Sequence, residues 1–252
     1  MSADNILIQG GARGLGLALV ERLLSDRPEA CLFASARAPE QSEGLQRMHK
    51  RHGDRLQTLT LDIADANSIR AARETVGRAC DRLDLMITCA GLLHDAERDL
   101  WPEKRLADIE ADHLARSFAV NATGPILMIR HFHDLLIHGE RAVIATLSAR
   151  VGSISDNGLG GWYAYRASKA AQNQLTRTAA IELRRRSAEL ICVGLHPGTV
   201  DTALSEPFQQ RVPEAQLQRP DQAATHLLKV IANLTPDDSG RLFDWAGQPI
   251  NP

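Results

Sequence analysis

The chain has 252 residues, of which 44% are hydrophobic and 24% charged, and its formal net charge is -2. That composition is ordinary for a folded globular protein, and the charge gives no reason to bind a nucleic acid through bulk electrostatics. No apolar run approaches the ~20 residues needed to cross a bilayer, so no membrane partner is expected.

The first apolar run, NILIQ (5–9), is continuous rather than alternating, as expected of a strand buried on both faces. It passes into QGGARGLGLALVERLL, where Gly10, Gly14 and Gly16 form G-x-x-x-G-x-G at the mouth of a predicted helix near 15–25. Glycines there allow positive φ and a close approach of backbone to ligand. The helix N-terminus offers free N–H groups to a pyrophosphate. A glycine loop alone is a weak signal, but after the first strand of a βαβ pattern it points to a dinucleotide.

The second run, ACLFAS (30–35), ends in FASARAP. An acid at that point would bind the ribose 2′-hydroxyl of NAD. This chain has Ala36 and then Arg37, with Arg13 as a second cation inside the glycine loop. Two guanidiniums can grip a 2′-phosphate, so NADP(H) is the expected cofactor; the plainer reading is two solvated surface arginines. A helical stretch (40–52) and a third run, LQTLTL (56–61), lead to Asp62 and Ile63 in LDIAD. After a helical stretch at 65–80, the fourth run, LDLMIT (83–88), leads to Ala90 and Gly91 in TCAG.

Helical patterns follow at 104–118 and 120–137, and the second holds AVNATGP, with Asn121 ahead of a distorting Gly124-Pro125. The fifth run, AVIATL (142–147), opens into LSARVGSI with Ser148. The glycine-rich SDNGLGGW precedes a helix at 164–186 carrying WYAYRASK, which contains both tyrosines of the chain. Helical steps of about 100° put Tyr165 and Lys169 about 40° apart on one face and leave Tyr163 on another. A nearby ammonium stabilises a phenolate, which makes Tyr165 the candidate proton donor. Tyr163 and Trp162 read as packing or pocket wall.

The sixth run, LICVGLH (190–196), continues into HPGTVDT with Pro197, Gly198, Val200 and Thr202. The polar stretch 203–219 is the expected flap, followed by a helix at 221–233 and a last run, RLFDW (241–245). Strand–helix alternation of this kind predicts a doubly wound parallel sheet, a Rossmann fold of about seven strands, with one domain over 1–252. The four cysteines, Cys31, Cys80, Cys89 and Cys192, form no C-x-x-C pair and no zinc-spaced cluster, so no metal is expected. They fit a reducing cytosol.

These motifs, in this order, resemble the short-chain dehydrogenase/reductase family over nearly the whole chain. GSISDN…WYAYRASKAA and GRLFDWAGQPI look like its C-factor-like branch. The resemblance implies a catalytic set of Asn121, Ser148, Tyr165 and Lys169, with Asn121 organising a proton relay and Ser148 holding the substrate carbonyl. It implies a cofactor site of Gly10, Arg13, Gly14, Leu15, Gly16, Arg37, Asp62, Ile63, Ala90, Gly91, Asn121, Tyr165, Lys169, Pro197, Gly198, Val200 and Thr202. Three departures stand out. Gln9 replaces the usual Thr, so another group should steady the loop. Thr88 and Cys89 replace two asparagines. Counting back from Gly152, Ala149 stands where the family has its catalytic Ser; Ser148, one residue early, is the preferred substitute over Ser153 or Thr146.

The expected activity is NADP(H)-dependent hydride transfer between nicotinamide and a carbonyl or secondary alcohol of a small, mainly apolar substrate. Leu159, Trp162, Leu204 and Phe208 are the expected walls. The alternative is a cofactor-binding signalling or scaffold protein with vestigial catalysis. A cytoplasmic homodimer or homotetramer, paired through 112–137 and 164–186, is the expected form.

Overall fold

A computed structural model describes residues 4–251. In chain order the elements are β1 (Asn5–Gln9), α1 (Gly14–Asp26), β2 (Cys31–Ala36), α2 (Glu43–His52), β3 (Leu56–Thr60) and α3 (Ala66–Ala79). Then come β4 (Leu85–Thr88), α4 (Ala111–Phe118), α5 (Gly124–Leu136), β5 (Ala142–Leu147) and α6 (Tyr163–Arg184). The chain closes with β6 (Leu190–His196), β7 (Thr199–Val200), β8 (Leu217–Gln218), α7 (Pro220–Asn233), β9 (Leu242–Asp244) and β10 (Pro249–Ile250).

The main sheet has eight strands in the order β3-β2-β1-β4-β5-β6-β9-β10. Its pairs are parallel except β9–β10, which turn back as a short hairpin. All seven anticipated strands are present, and β10 is the addition. Pro249–Ile250 was too short to carry a periodic signal. β7 and β8 form a separate two-stranded ribbon.

The continuous apolar runs are explained by burial on both faces. Ile6, Ile8, Ile87 and Val193 join one core with Leu19 and Leu23 of α1 and Leu227 of α7. Leu7, Met86, Ile144 and Cys192 join another with Val76 of α3, Phe132 of α5 and Leu183 of α6. Each fully buried Leu, Ile or Phe contributes about 1.5–3 kcal/mol relative to exposure, so the two layers fix the sheet's position firmly. The predicted helix over 104–118 begins only at Ala111. Asp108 accepts bonds from the Lys104 and Arg105 N–H groups and folds that stretch into a turn.

The order reverses direction between β1 and β4, so the carboxyl ends of these two strands open a crevice. Open parallel sheets bind ligands at such a switch point. Every candidate motif lies at this end of the sheet.

Candidate active site

The glycine loop leaves β1 and is held by main chain. Gly10 and Gly11 donate to the Ser35 carbonyl, both at 2.9 Å. Gly10 (φ +84) and Gly14 (φ +53) occupy the left-handed region that suits glycine. A methyl on Gly16 would lie 2.1 Å from the Gly10 carbonyl oxygen, so no side chain fits there. Leu15, beside it, is buried in the α1 face of the core.

Gln9 supplies the expected loop brace itself. Its amide oxygen accepts from Ala90 N–H at 3.1 Å and ties the loop to the end of β4. Ser42, the N-cap of α2, adds a second tie by donating to the Ala12 carbonyl at 2.7 Å. Neither signal was readable from the motif spacing.

Arg13 and Arg37 are exposed at the rim of this loop. Neither guanidinium has a hydrogen bond or ion pair with another described residue. Asp62 directs one carboxylate oxygen to Ala64 N–H at 2.9 Å, and Ile63 is buried. A methyl on Gly124 would lie 2.5 Å from the Ile63 carbonyl oxygen, which is how close the helix after Asn121 comes. Gly198 (φ +77) turns the chain after β6, and Val200 pairs with Gln218 across the ribbon. Pro197 offers its carbonyl to the Gln218 amide at 3.0 Å. Thr202 lies over the glycine loop, 3.1 Å from where a Gly14 methyl would sit.

Asn121 occupies a π-helical turn, Ala119–Thr123, between α4 and α5. Such turns widen a helix locally and often mark functional positions. Three hydrogen bonds hold the side chain: Oδ1 accepts from Leu92 N–H at 2.7 Å, and Nδ2 donates to the Leu92 carbonyl at 2.8 Å and to Ser168 Oγ at 3.0 Å. A methyl on Gly91 would lie 3.7 Å from Asn121 Oδ1 and 3.9 Å from Lys169 Nζ. Ala90, Gly91, Asn121 and Lys169 thus share one corner.

Tyr165 and Lys169 sit one turn apart on α6, both buried. Lys169 Nζ lies 5.9 Å from the Tyr165 ring centroid. No described residue makes a hydrogen bond to the Tyr165 hydroxyl. Burial raises the Tyr165 phenol to about 12 and lowers the Lys169 ammonium to about 7. Tyr163 shares only the first turn of the helix.

The start of α6 is built unusually. Gly160, Gly161 and Trp162 all have left-handed φ, and Trp162 (φ +54) is the strained N-cap. Glu103, buried to 3% exposure, holds this end. Its carboxylate accepts from Ala164 N–H at 3.1 Å and its carbonyl from Trp162 N–H at 2.5 Å. An acid at a helix N-terminus is favoured by the free N–H groups and the dipole. Its sequence context, WPEKR, carried no sign of this.

Ser148 is where the structure corrects the sequence reading. Its hydroxyl donates to Asn173 Oδ1 at 2.6 Å, two turns beyond Tyr165 on α6. The residue packed with Tyr165 is Ala149, together with Leu93. Ser148 and Ala149 both reach α6, Ser148 at Asn173 and Ala149 at Tyr165, so one step along the chain decides which residue meets the phenol. Neither proposed substitute replaces it: Thr146 is fully buried within β5 with its hydroxyl unpartnered, and Ser153 bonds within its own turn, to Asp156 N–H at 3.2 Å and to Ser155.

Rings line the rest of the cleft. Trp162 meets Tyr165 at 6.2 Å and Phe208 at 5.1 Å between centroids. Phe208 meets His94 at 5.8 Å, and His94 stacks on Trp101 at 5.3 Å. His94 also bonds the Ala203 carbonyl at 3.0 Å, which pins the start of the 203–219 segment. Leu159, expected as a wall, is 94% exposed and lies outside this row, and Leu204, also expected as a wall, is exposed as well. His196 is mostly buried at the end of β6, and burial pushes its imidazole down to about 4.

A glycine cradle at the switch point, with a buried Tyr–Lys pair one strand away, defines a Rossmann-type α/β protein. The family model for short chain dehydrogenases matches residues 4–213, and the chain belongs to that family. An uncharacterized oxidoreductase of Schizosaccharomyces pombe is 32% identical over 99% of each chain. The C-signal protein of Myxococcus xanthus is 35% identical over 67% of this chain and 92% of its own. Among solved structures, the NADPH-bound carbonyl reductase from chicken fatty liver superimposes with a TM-score of 0.87 at 28% identity, covering 100% of this chain and 95% of that one.

Proposed function

We propose that this short chain dehydrogenase is an NADP(H)-dependent reductase of small, mainly apolar ketones or aldehydes, working also in reverse on secondary alcohols. The observation that carries the reading is the buried Tyr165, its hydroxyl without a hydrogen bond among the described residues, beside the buried Lys169. The cradle fits the cofactor: its closest point admits no side chain, and two arginines with no ion pair among the described residues flank it. Gly10, Gly14, Leu15, Gly16, Ala90 and Gly91 would border the dinucleotide, with Asp62 and Ile63 toward the adenine. Arg13 and Arg37 would meet a 2′-phosphate, and Pro197, Gly198, Val200 and Thr202 would close over the nicotinamide end. When bound, NADP(H) supplies or accepts the hydride.

The protein's own residues handle the proton and the oxygen. Tyr165 gives its hydroxyl proton to the carbonyl oxygen as the alcohol forms, and takes it back in oxidation. The Lys169 charge favours the phenolate left behind. Asn121 holds the Leu92 backbone, next to Leu93, which packs with Tyr165. Ala149 brings no hydroxyl to this site, which leaves Tyr165 as the group that holds the oxygen. The ring row supports an apolar substrate flank. Pairing through α4, α5 and α6 into a dimer or tetramer belongs to the same proposal, and light scattering tests it.

The second reading, a cofactor-binding signalling or scaffold protein, is favoured by one observation, Ala149 beside Tyr165. NADPH oxidation across a panel of aryl and alkyl carbonyls separates the two. Turnover that fails in Tyr165→Phe supports the enzyme. Tight NADPH binding without turnover selects the sensor. Arg37→Ala with Arg13→Ala should weaken NADPH about 10–100-fold and spare NADH.

A further inference from the structure

Lys169 does not hang free beneath Tyr165. Its ammonium donates to the Leu147 carbonyl at 2.8 Å and to Gln172 Oε1 at 2.9 Å. Gln172 in turn donates from Nε2 to the same Leu147 carbonyl at 3.1 Å. Three polar groups close a small ring between α6 and the end of β5. Lys169 and Gln172 are three residues apart, so they share a helix face. Both are 2% exposed.

Gln172 is otherwise out of place. With Ala122, Pro125, Ile126, Ile129, Leu175 and Thr176 it lines a small, mostly apolar depression where α5 meets α6. An amide buried among apolar groups costs free energy unless its hydrogen bonds are made. Here they are made in one orientation. An ammonium has donors only, so the amide oxygen must face Nζ, and the amide N–H groups then face the carbonyl. Leu or Val would fill the same space without either bond.

We propose that Gln172 is a positioning residue that keeps Lys169 protonated and fixed beneath Tyr165, and thereby sets the pH range in which Tyr165 exchanges its proton. The link to Tyr165 rests on the catalytic reading above. Burial drives Lys169 toward its neutral form, and oxygen acceptors on Nζ oppose that drive. The ionisable neighbours are few. Tyr165 lies on the same helix, and His196 reaches in from β6 with Arg150 and Asp244, themselves paired at 3.4 Å, beside it. His196 is held neutral by burial, so it neither repels nor replaces the ammonium. Gly91 and Asn121, on the remaining side, carry no charge.

The chain has four lysines, Lys50, Lys104, Lys169 and Lys229, and all but Lys169 are exposed. NMR of lysine-labelled protein can therefore follow the Lys169 side chain, assigned by its loss in Lys169→Met. In Gln172→Leu its titration should fall by about one pH unit or more, because one acceptor is gone. In Gln172→Glu, which keeps an oxygen against Nζ and adds charge, it should rise. Titration within about 0.2 units of the wild type in Gln172→Leu, where one unit is expected, overturns the proposal. If Gln172→Leu does not fold, an unmoved or lowered value in Gln172→Glu overturns it.

The second measurement is the pH profile of alcohol oxidation. Its rising limb should move to higher pH by about one unit in Gln172→Leu, with KM for the alcohol within about threefold. A shifted Lys169 with an unshifted limb overturns the link to Tyr165. A wild-type protein with no alcohol oxidation refutes the catalytic reading instead, and the lysine titration still decides what Gln172 does.

Discussion

Around Gly10, Gly14 and Gly16 the cleft is shaped by main chain; around Tyr165 it is shaped by side chains from four separate segments. The cradle has no slack: a Gly16 methyl would overlap the Gly10 carbonyl, and a Gly14 methyl would press on Thr202. The Tyr165 pocket is assembled from Leu93, Ala149, Trp162 and Phe208, each able to change without moving a strand. A rigid backbone cradle suits a ligand common to many enzymes, whereas a side-chain pocket suits a ligand particular to one.

The contrast can be broken or sharpened by substitution. Tyr165→Phe should lower kcat about 10²–10⁴-fold with cofactor affinity intact, while Tyr163→Phe changes it less than about threefold. Equal losses in the two variants would erase the helical-phase assignment. Gly16→Ala should instead strike binding, weakening NADPH by about a hundredfold by titration, the equivalent of an overpacking cost of about 2.7 kcal/mol. Binding unchanged in Gly16→Ala would mean the cradle is softer than its geometry says.

A third test concerns acid stability, where the pocket carries a cost that the cradle does not. His196 titrates at about 4 in the folded protein against 6.5 ordinarily, so the unfolded chain binds more protons between those values. The stability held above pH 6.5 is lost as pH falls toward 4, by about 2 kcal/mol at pH 5 in urea unfolding. His196→Gln should flatten that slope. The smallest effect is a gain. Ala149→Ser should raise kcat by about tenfold by placing a second hydroxyl beside the phenol, whereas Ser148→Ala should leave kcat within about twofold and cost about 1 kcal/mol of stability.

The cradle was legible because its rules are local. Positive φ, a free helix N-terminus and a missing acid after β2 are each written in a few adjacent residues. The Tyr165–Lys169 pair was legible for the same reason, since helical phase needs only spacing. Ser148 misled because the question was which of two adjacent residues at a strand end meets Tyr165, and that depends on how the chain leaves β5 along α6 rather than on the motif. Glu103 and Gln172 stayed hidden for a different reason. Glu103 lies 61 positions from the N–H it caps, and Gln172 is three from Lys169 yet finds its role only against a carbonyl 25 positions earlier. Gln9 shows the middle case: its substitution was visible, but its reach to Ala90 was not.

The row of rings from Trp101 to Tyr165 gives the protein a built-in optical gauge. Of its three tryptophans, Trp101 and Trp162 belong to the row, and Trp245 stands apart against His226. Trp162 touches both Tyr165 and Phe208, so a molecule that settles beside Tyr165 changes the surroundings of an indole. Emission should shift on substrate binding in Trp245→Phe as in the wild type, and stay still in Trp162→Phe. Occupancy of the pocket can thus be read by light, before any chemistry is measured.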